Sequence, residues 1–152
     1  MILKNRGISI IEILIGISII AILSSVSISV FSGLSHNVSL DRDANIVASY
    51  IDRARTASIN SVDSMEHGVF FETHKVTVFK SSTYSVANTE LYYDIPSKSV
   101  ISDISLTDGV SSIYFDKLTG APNQTGTIVV SSSDGTNSKT ITIYATGIVD
   151  IQ

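Results

Sequence analysis

The 152-residue chain has no cysteine, which excludes disulfides, thiolate metal sites, cysteine nucleophiles and lipid anchoring on cysteine. A cysteine-free chain suits either side of a membrane, so this absence leaves the redox compartment open. Charge is also scarce, with Asp, Glu, Lys and Arg making up 16% of residues. Intrinsic disorder needs high charge and low hydrophobicity, and here 43% of residues are hydrophobic. Cations are the scarcer sign, 10 against 14 acids, giving a formal net charge of −4. A general nucleic-acid binder carries a basic footprint, so nucleic acid is not an expected partner. There is no G-x-S-x-G elbow, no Walker A loop and no G-x-G-x-x-G. Histidine is limited to His36, His67 and His74, and the last two lack paired acidic partners. No catalytic residue, metal site or cofactor is therefore expected, and the chain does not read as an enzyme. Proline is absent from Ile8 to Val62, so nothing there breaks a helix.

What the chain does have is a concentrated apolar segment. Mean hydropathy is +0.32, high for a soluble domain of this size. From Ile13 to Leu40 there is no Asp, Glu, Lys or Arg. Residues 13–31, ILIGISIIAILSSVSISVF, would cover roughly 30 Å as a helix, the thickness of a bilayer's hydrocarbon core. Ser18, Ser24, Ser25, Ser27 and Ser29 are tolerable there because a helical serine can donate to the carbonyl one turn earlier. Before the run stands MILKNRG, with Lys4 and Arg6 and no acid. The positive-inside rule keeps this end in the cytoplasm and exports the remainder. A signal anchor, a cleaved secretory signal and a buried helix of a soluble domain compete for the segment. The run is longer than an ordinary signal core and no small-x-small site closes it.

Glu12 lies inside this segment, flanked by Ile10, Ile11, Ile13 and Leu14. A carboxylate deep in a bilayer costs about 2.5–3.5 kcal/mol on insertion scales, so it normally has a partner. The alternative is that Glu12 snorkels to the nearby cytoplasmic interface.

The run Arg6-Gly7-Ile8-Ser9-Ile10-Ile11-Glu12, followed by the long apolar segment, resembles the class III signal of type IV pilins and pseudopilins. The resemblance implies that a prepilin peptidase cuts between Gly7 and Ile8 from the cytoplasmic side and methylates the amine of Ile8. It makes Glu12 the fifth residue of the mature chain, where the family uses a glutamate to pair with a neighbour's N-terminal amine during filament assembly. Two positions differ from the usual pattern: Ile8 stands where Phe is commonest, and Ser9 where Thr is frequent. Loss of the leader would remove Lys4 and Arg6, leaving 8 cations against 14 acids, about −6 before the new amine is counted.

From Asp41 the sequence turns amphipathic, with Val47, Tyr50, Ile51, Ala54, Ala57 and Ser58 at three- and four-residue steps. Arg53 and Arg55 are expected on a solvated flank. A helix from Ile8 to Val62 would be roughly 80 Å long. From His67 onward short strands follow. Residues 68–72 and 75–79 flank Thr73-His74 as a hairpin, and 91–95, 100–106, 127–130, 141–144 and 148–151 complete the set. Asp134-Gly135 marks a turn, and its alternative is a weak Ca²⁺ loop. Asn37-Val38-Ser39 and Asn123-Gln124-Thr125 match glycosylation sequons, which occur often by chance.

A second likeness lies in this half. Ala54-Arg55-Thr56-Ala57, Ile113-Tyr114-Phe115, Gly120-Ala121-Pro122, Gly126 to Val130, Ile141 to Ile143 and Gly147-Ile148-Val149 resemble H-type minor pseudopilins and FimT-type minor pilins. Some FimT-type relatives bind DNA through C-terminal cations. This chain ends Gly147-Ile148-Val149-Asp150-Ile151-Gln152, without Lys or Arg, so no DNA-binding residue is carried over. Absence of cysteine also separates it from major pilins with a disulfide-closed loop.

The expectation is an α+β chain, a long N-terminal helix packed on a C-terminal antiparallel β-sheet head. Its parts are a leader at 1–7, a transmembrane and assembly helix at 8–34, an amphipathic continuation at 35–62 and a β-rich head at 63–152. The expected role is a structural subunit of a type II secretion pseudopilus or a type IV pilus. The expected place is the inner membrane, single-pass with the head outside the cytoplasm, and then the filament. Prepilin peptidase and other pilins or pseudopilins would be its partners. A pilus-displayed binding module for DNA, surfaces or cargo, and an unprocessed signal-anchored domain, are the alternatives.

Overall fold

A computed structural model describes the backbone of residues 9–152 and the side chains of residues 9–25 and 38–152. The chain is α+β, with one helical segment followed by two antiparallel sheets. Helical backbone, α1, runs Ile10–Ile59. The chain divides into two compact units, Met1–Ser35 and His36–Gln152, each taken by itself below. Described helical side chains fall in two stretches, residues 10–25 in the first unit and 38–59 in the second.

In the second unit the helix buries a narrow stripe: Leu40, Asp43, Ala44, Val47, Ile51, Ala54 and Ser58. These positions recur at three- and four-residue steps, which places them on one face. Tyr50 and Ala57, also expected on that face, are half-buried at its edges. Asn60 donates its backbone N–H to the Thr56 carbonyl, and Ser61 to that of Ser58. Three residues that are not glycine, Ser61, Asp63 and Ser64, then take positive φ and end the helical path.

The first sheet has the order β3-β2-β1-β5, from Thr89–Asp94, Lys75–Lys80, His67–Glu72 and Ser112–Phe115. Its β1–β2 hairpin closes with Glu72 opposite Lys75 around Thr73-His74, as the alternation of the sequence predicts. The second sheet has the order β4-β6-β7-β8, from Ser99–Leu106, Gly126–Ser132, Ser138–Ile143 and Val149–Ile151. Both sheets are antiparallel, as the short alternating strands lead one to expect. Val69, Phe71, Val76, Val78, Ile113 and Phe115 of the first sheet share one core with Ile101, Leu106, Ile128, Val130, Ile141 and Ile143 of the second. The helix stripe completes that cluster. Burying each such Ile, Val, Leu or Phe contributes about 1.5–3 kcal/mol.

Candidate functional site

Lys4, Arg6, Gly7 and Ile8, the expected leader and processing residues, lie outside the described residues, as do the side chains of His36 and Asn37. Glu12 sits in the first turn of α1, where a carboxylate favours the positive end of the helix dipole. Its backbone N–H donates to the Ser9 carbonyl at 3.0 Å. The side chain is exposed, and so are its neighbours Ile10 at 80%, Ile11 at 64% and Ile13 at 50%. Leu14, Ile15, Ile17, Ile19, Ile20, Ile22 and Leu23 are exposed as well. At 100° per residue these side chains point in every direction around the helix. Serine behaves here as expected. Ser18 Oγ donates to the Leu14 carbonyl at 2.8 Å, and Ser25 Oγ to that of Ile22 at 2.8 Å. Among the described residues no helix is long and apolar enough to cross a membrane. The expected span, 13–31, runs on into residues 26–37, whose side chains are not among those described.

In the second unit, quoted motifs that stand far apart in sequence converge on Arg55. Gly120 has φ +65°, and a Cβ there would lie 2.6 Å from Ile59 Cγ1 and 3.2 Å from Arg55 Cγ. Gly147 has φ +77°, and a Cβ there would lie 2.4 Å from the Gly120 carbonyl oxygen and 2.6 Å from Arg55 Nε. Arg55 Nη2 donates to the Thr146 carbonyl at 3.2 Å. Leu118 donates its backbone N–H to the Ser58 carbonyl at 3.0 Å, so the 116–121 loop also caps the helix end. Arg55 is thus half-buried between two glycine-bearing loops rather than solvated, because only residues without a Cβ let backbone approach it. Arg53 is exposed, as expected.

Two polar clusters tie the helix to the first sheet. Asp43 is fully buried, and its Oδ1 accepts from Tyr93 Oη at 2.9 Å and from Arg42 Nη2 at 3.0 Å. Desolvation first, and then the hydrogen bond to Asp43, push the Tyr93 phenol above its ordinary pKa. The hydrogen bond to Asp43 raises the Arg42 guanidinium. At the other end, the His67 backbone N–H donates to Ser58 Oγ at 2.8 Å. The His67 ring is fully buried, with Nε2 3.5 Å from Glu90 Oε2. Lys80 bridges Glu90, at 3.1 Å, and Asp63. The hydrogen bond and charge of Lys80 hold the Asp63 carboxyl below the usual range, and Asp63 in turn raises Lys80. Sequence reasoning missed both clusters, whose members stand between one and fifty positions apart and meet only once the strands pair and pack on the helix.

His67 and His74 stand at opposite ends of β1, one buried and one exposed in the hairpin loop. Among the described residues no group of three or more His, Asp or Glu is placed to hold a metal ion. Asp134 serves its own turn: Oδ1 accepts from the Thr136 N–H at 3.0 Å and Thr136 Oγ1 at 2.8 Å, and Gly135 takes φ +70°. Asn123 is exposed, with Oδ1 accepting from the Tyr114 N–H at 2.8 Å. Comparison with protein-family models, with curated proteins and with solved structures finds no match to this chain.

Proposed function

We propose that the chain is a structural subunit, a minor pilin or pseudopilin, of a type II secretion pseudopilus or a type IV pilus. The observation that carries this reading is the helix of residues 10–25, which is apolar on all sides, bare, and interrupted by the single carboxylate Glu12. An all-round apolar helix needs lipid or apolar neighbours. Covering side chains of this kind contributes about 1.5–3 kcal/mol each. A filament core supplies such neighbours once the subunit leaves the bilayer. The second unit, by contrast, has its own buried core and needs no cover.

In this reading residues 8–34 form the transmembrane and assembly helix, and 35–62 continue it into the head as one spine. Prepilin peptidase removes 1–7, with Lys4 and Arg6 holding the leader in the cytoplasm. The head lies outside the inner membrane. Glu12 pairs with the N-terminal amine of a neighbouring subunit's Ile8, because opposite charges attract strongly in a low-dielectric core and either one left alone there is far costlier than the pair. Only one axial stagger brings them together, so Glu12 sets the register. The role involves no catalysis and no cofactor, and nucleic acid is not among the partners.

Mass spectrometry of the chain from its native membranes tests the reading. The expected species begins at Ile8 and is heavier by one methyl group, and an intact Met1 in the filament fraction would overturn it. Glu12→Ala should be processed normally yet fail to enter filaments. Assembly at the wild-type level would refute the pairing.

A further inference from the structure

We propose that the outer face of the β1–β3 sheet carries a binding cleft for the neutral sugar rings of an oligosaccharide, independently of the filament reading. Phe70, Thr77 and Tyr92 form one cross-strand row on β1, β2 and β3. They alternate with Val69, Phe71, Val76 and Val78, which face the core, so the row lies on the opposite side of the sheet. Residues 81–88 fold back over this side. Tyr84 stacks on Phe70 with ring centroids 4.1 Å apart and 7° between planes, and meets Phe79 edge-on at 5.4 Å. The returning segment is pinned by its own polar groups. The Ser85 N–H donates to Asn88 Oδ1 at 2.8 Å, and Asn88 Nδ2 to the Thr83 carbonyl at 2.9 Å.

Between this segment and β3 lies a cleft of about 450 Å³ lined by Glu72, Lys75, Thr77, Tyr84 and Tyr92 among others. That volume falls within the range of small-molecule sites, about 300–1,000 Å³. The floor is unusual. Thr77 is 2% exposed, and its Oγ1 has no hydrogen-bond partner within the chain. Valine has the same shape and suits a strand as well, so packing alone gives no reason for a hydroxyl here. The oxygen itself is closed to solvent, so a ligand atom that accepts or donates would satisfy it once the side chains over it part. Tyr92 stands 56% exposed at the mouth, offering an apolar ring with a polar tip. Lys75 Nζ lies over one face of the Tyr92 ring, 5.2 Å from its centroid, and 3.9 Å from Asp94 Oδ1, so that face already carries a donor and a ligand stacks only where the ammonium leaves the ring uncovered.

The rim carries both signs, Lys75 against Glu72, and Asp94 lies 3.9 Å from Lys75 Nζ outside the lining, so the cleft offers neither the clustered cations a polyanion needs nor an uncontested anionic site for a cation. What it offers is an aromatic platform ringed by an ammonium, carboxylates and hydroxyls. A sugar ring matches this set. Its C–H face lies on Tyr92, while its hydroxyls donate to Glu72 and accept from Lys75 and Thr77.

The test uses the full chain in a detergent whose head group is not a sugar, titrated with maltoheptaose, cellohexaose and chitotetraose by saturation-transfer NMR and calorimetry. A neutral extended hexapeptide and a single-stranded oligonucleotide are run beside them. At least one sugar should saturate with a Kd in the millimolar range or below, about the strength of a single shallow site. Tyr92→Ala should weaken it about tenfold or more, the loss expected of an aromatic anchor. Thr77→Val should weaken it several-fold without lowering the melting temperature. Tyr144→Ala, which removes an exposed tyrosine at the end of β7, should change nothing. The proposal is overturned if no sugar saturates by about 10 mM, if Tyr92→Ala binds like the wild type, or if only the peptide or the oligonucleotide saturates.

Discussion

Replacing Gly147 by alanine probes the junction between the helix and the C-terminal loops. Two costs add. An L-residue at φ +77° in the left-handed region loses about 1–2 kcal/mol. The new Cβ would also lie 2.4 Å from the Gly120 carbonyl oxygen and 2.6 Å from Arg55 Nε, closer than any real Cβ contact. The oxygen belongs to backbone that packs on Ile59, so it cannot swing away as a side-chain tip would. Overpacking of this kind costs about 1–3 kcal/mol more. Together the loss is about 2–5 kcal/mol, and at about 4 °C per kcal/mol for a unit of this size the melting point falls about 8–20 °C. Gly135→Ala is the internal control. Its φ of +70° is nearly the same, but no atom lies within 4 Å of the added Cβ. Only the conformational cost applies there, so the fall should stop at about 4–8 °C. The assay is thermal unfolding of the full chain in detergent, followed by the near-ultraviolet circular dichroism of its tyrosines. Equal falls for the two variants would refute the close packing of Gly147 on Arg55 and Gly120.

Three further outcomes follow from the polar clusters and the core. Tyr93→Phe removes the hydroxyl that donates to buried Asp43 at 2.9 Å, and should cost about 1.5–3 kcal/mol in urea unfolding, as for other hydrogen bonds to a charged group. Asp63 has a lowered pKa, so its pairing with Lys80 stabilises the fold above pH 3.8 and is lost as pH falls through the folded value. Lys80 has a raised pKa, so its share is present below pH 10.5 and is lost at higher pH. The melting-point difference between the wild type and Asp63→Asn should therefore be largest near neutrality and close on both sides, and a pH-independent difference would count against the ion pair. Ile51→Ala cuts into the middle of the helix stripe and should cost about 2–5 kcal/mol by the same urea measurement.

The strands were legible because each alternates over a short run and ends at a turn residue. Residues 68–72 and 75–79 around Thr73-His74 appear as β1 and β2 with the expected pairing. The helix stripe was legible from Val47 through Ser58, where the period is local. Its earlier part was not. Asp41-Arg42-Asp43 opens the amphipathic stretch with three charges, and nothing local marks Asp43 as buried, with Tyr93 as its partner fifty positions on. Arg55 was misplaced for the same reason, since its surroundings come from Thr146, Gly120 and Gly147. Local periodicity carries no information about such partners. The aromatic cleft was hidden likewise, because Thr77 is an ordinary strand residue until Tyr84 and Tyr92 are folded beside it. Glu12, by contrast, stood out at once, because a lone carboxylate in an apolar run is conspicuous without any fold.

The helix stripe also decides where the chain can be cut. Residues 63–152 contain every strand and look like a self-sufficient head. A fragment beginning there would lose Leu40, Ala44, Val47, Ile51 and Ala54 from the shared core and leave apolar faces such as Val69 and Ile113 open to water. The compact unit His36–Gln152 keeps the stripe together with both sheets, so a protease that nicks the chain near residue 35 would leave the shared core whole. One that nicks near residue 62 would yield two sheets with adhesive inner faces and a marked tendency to aggregate.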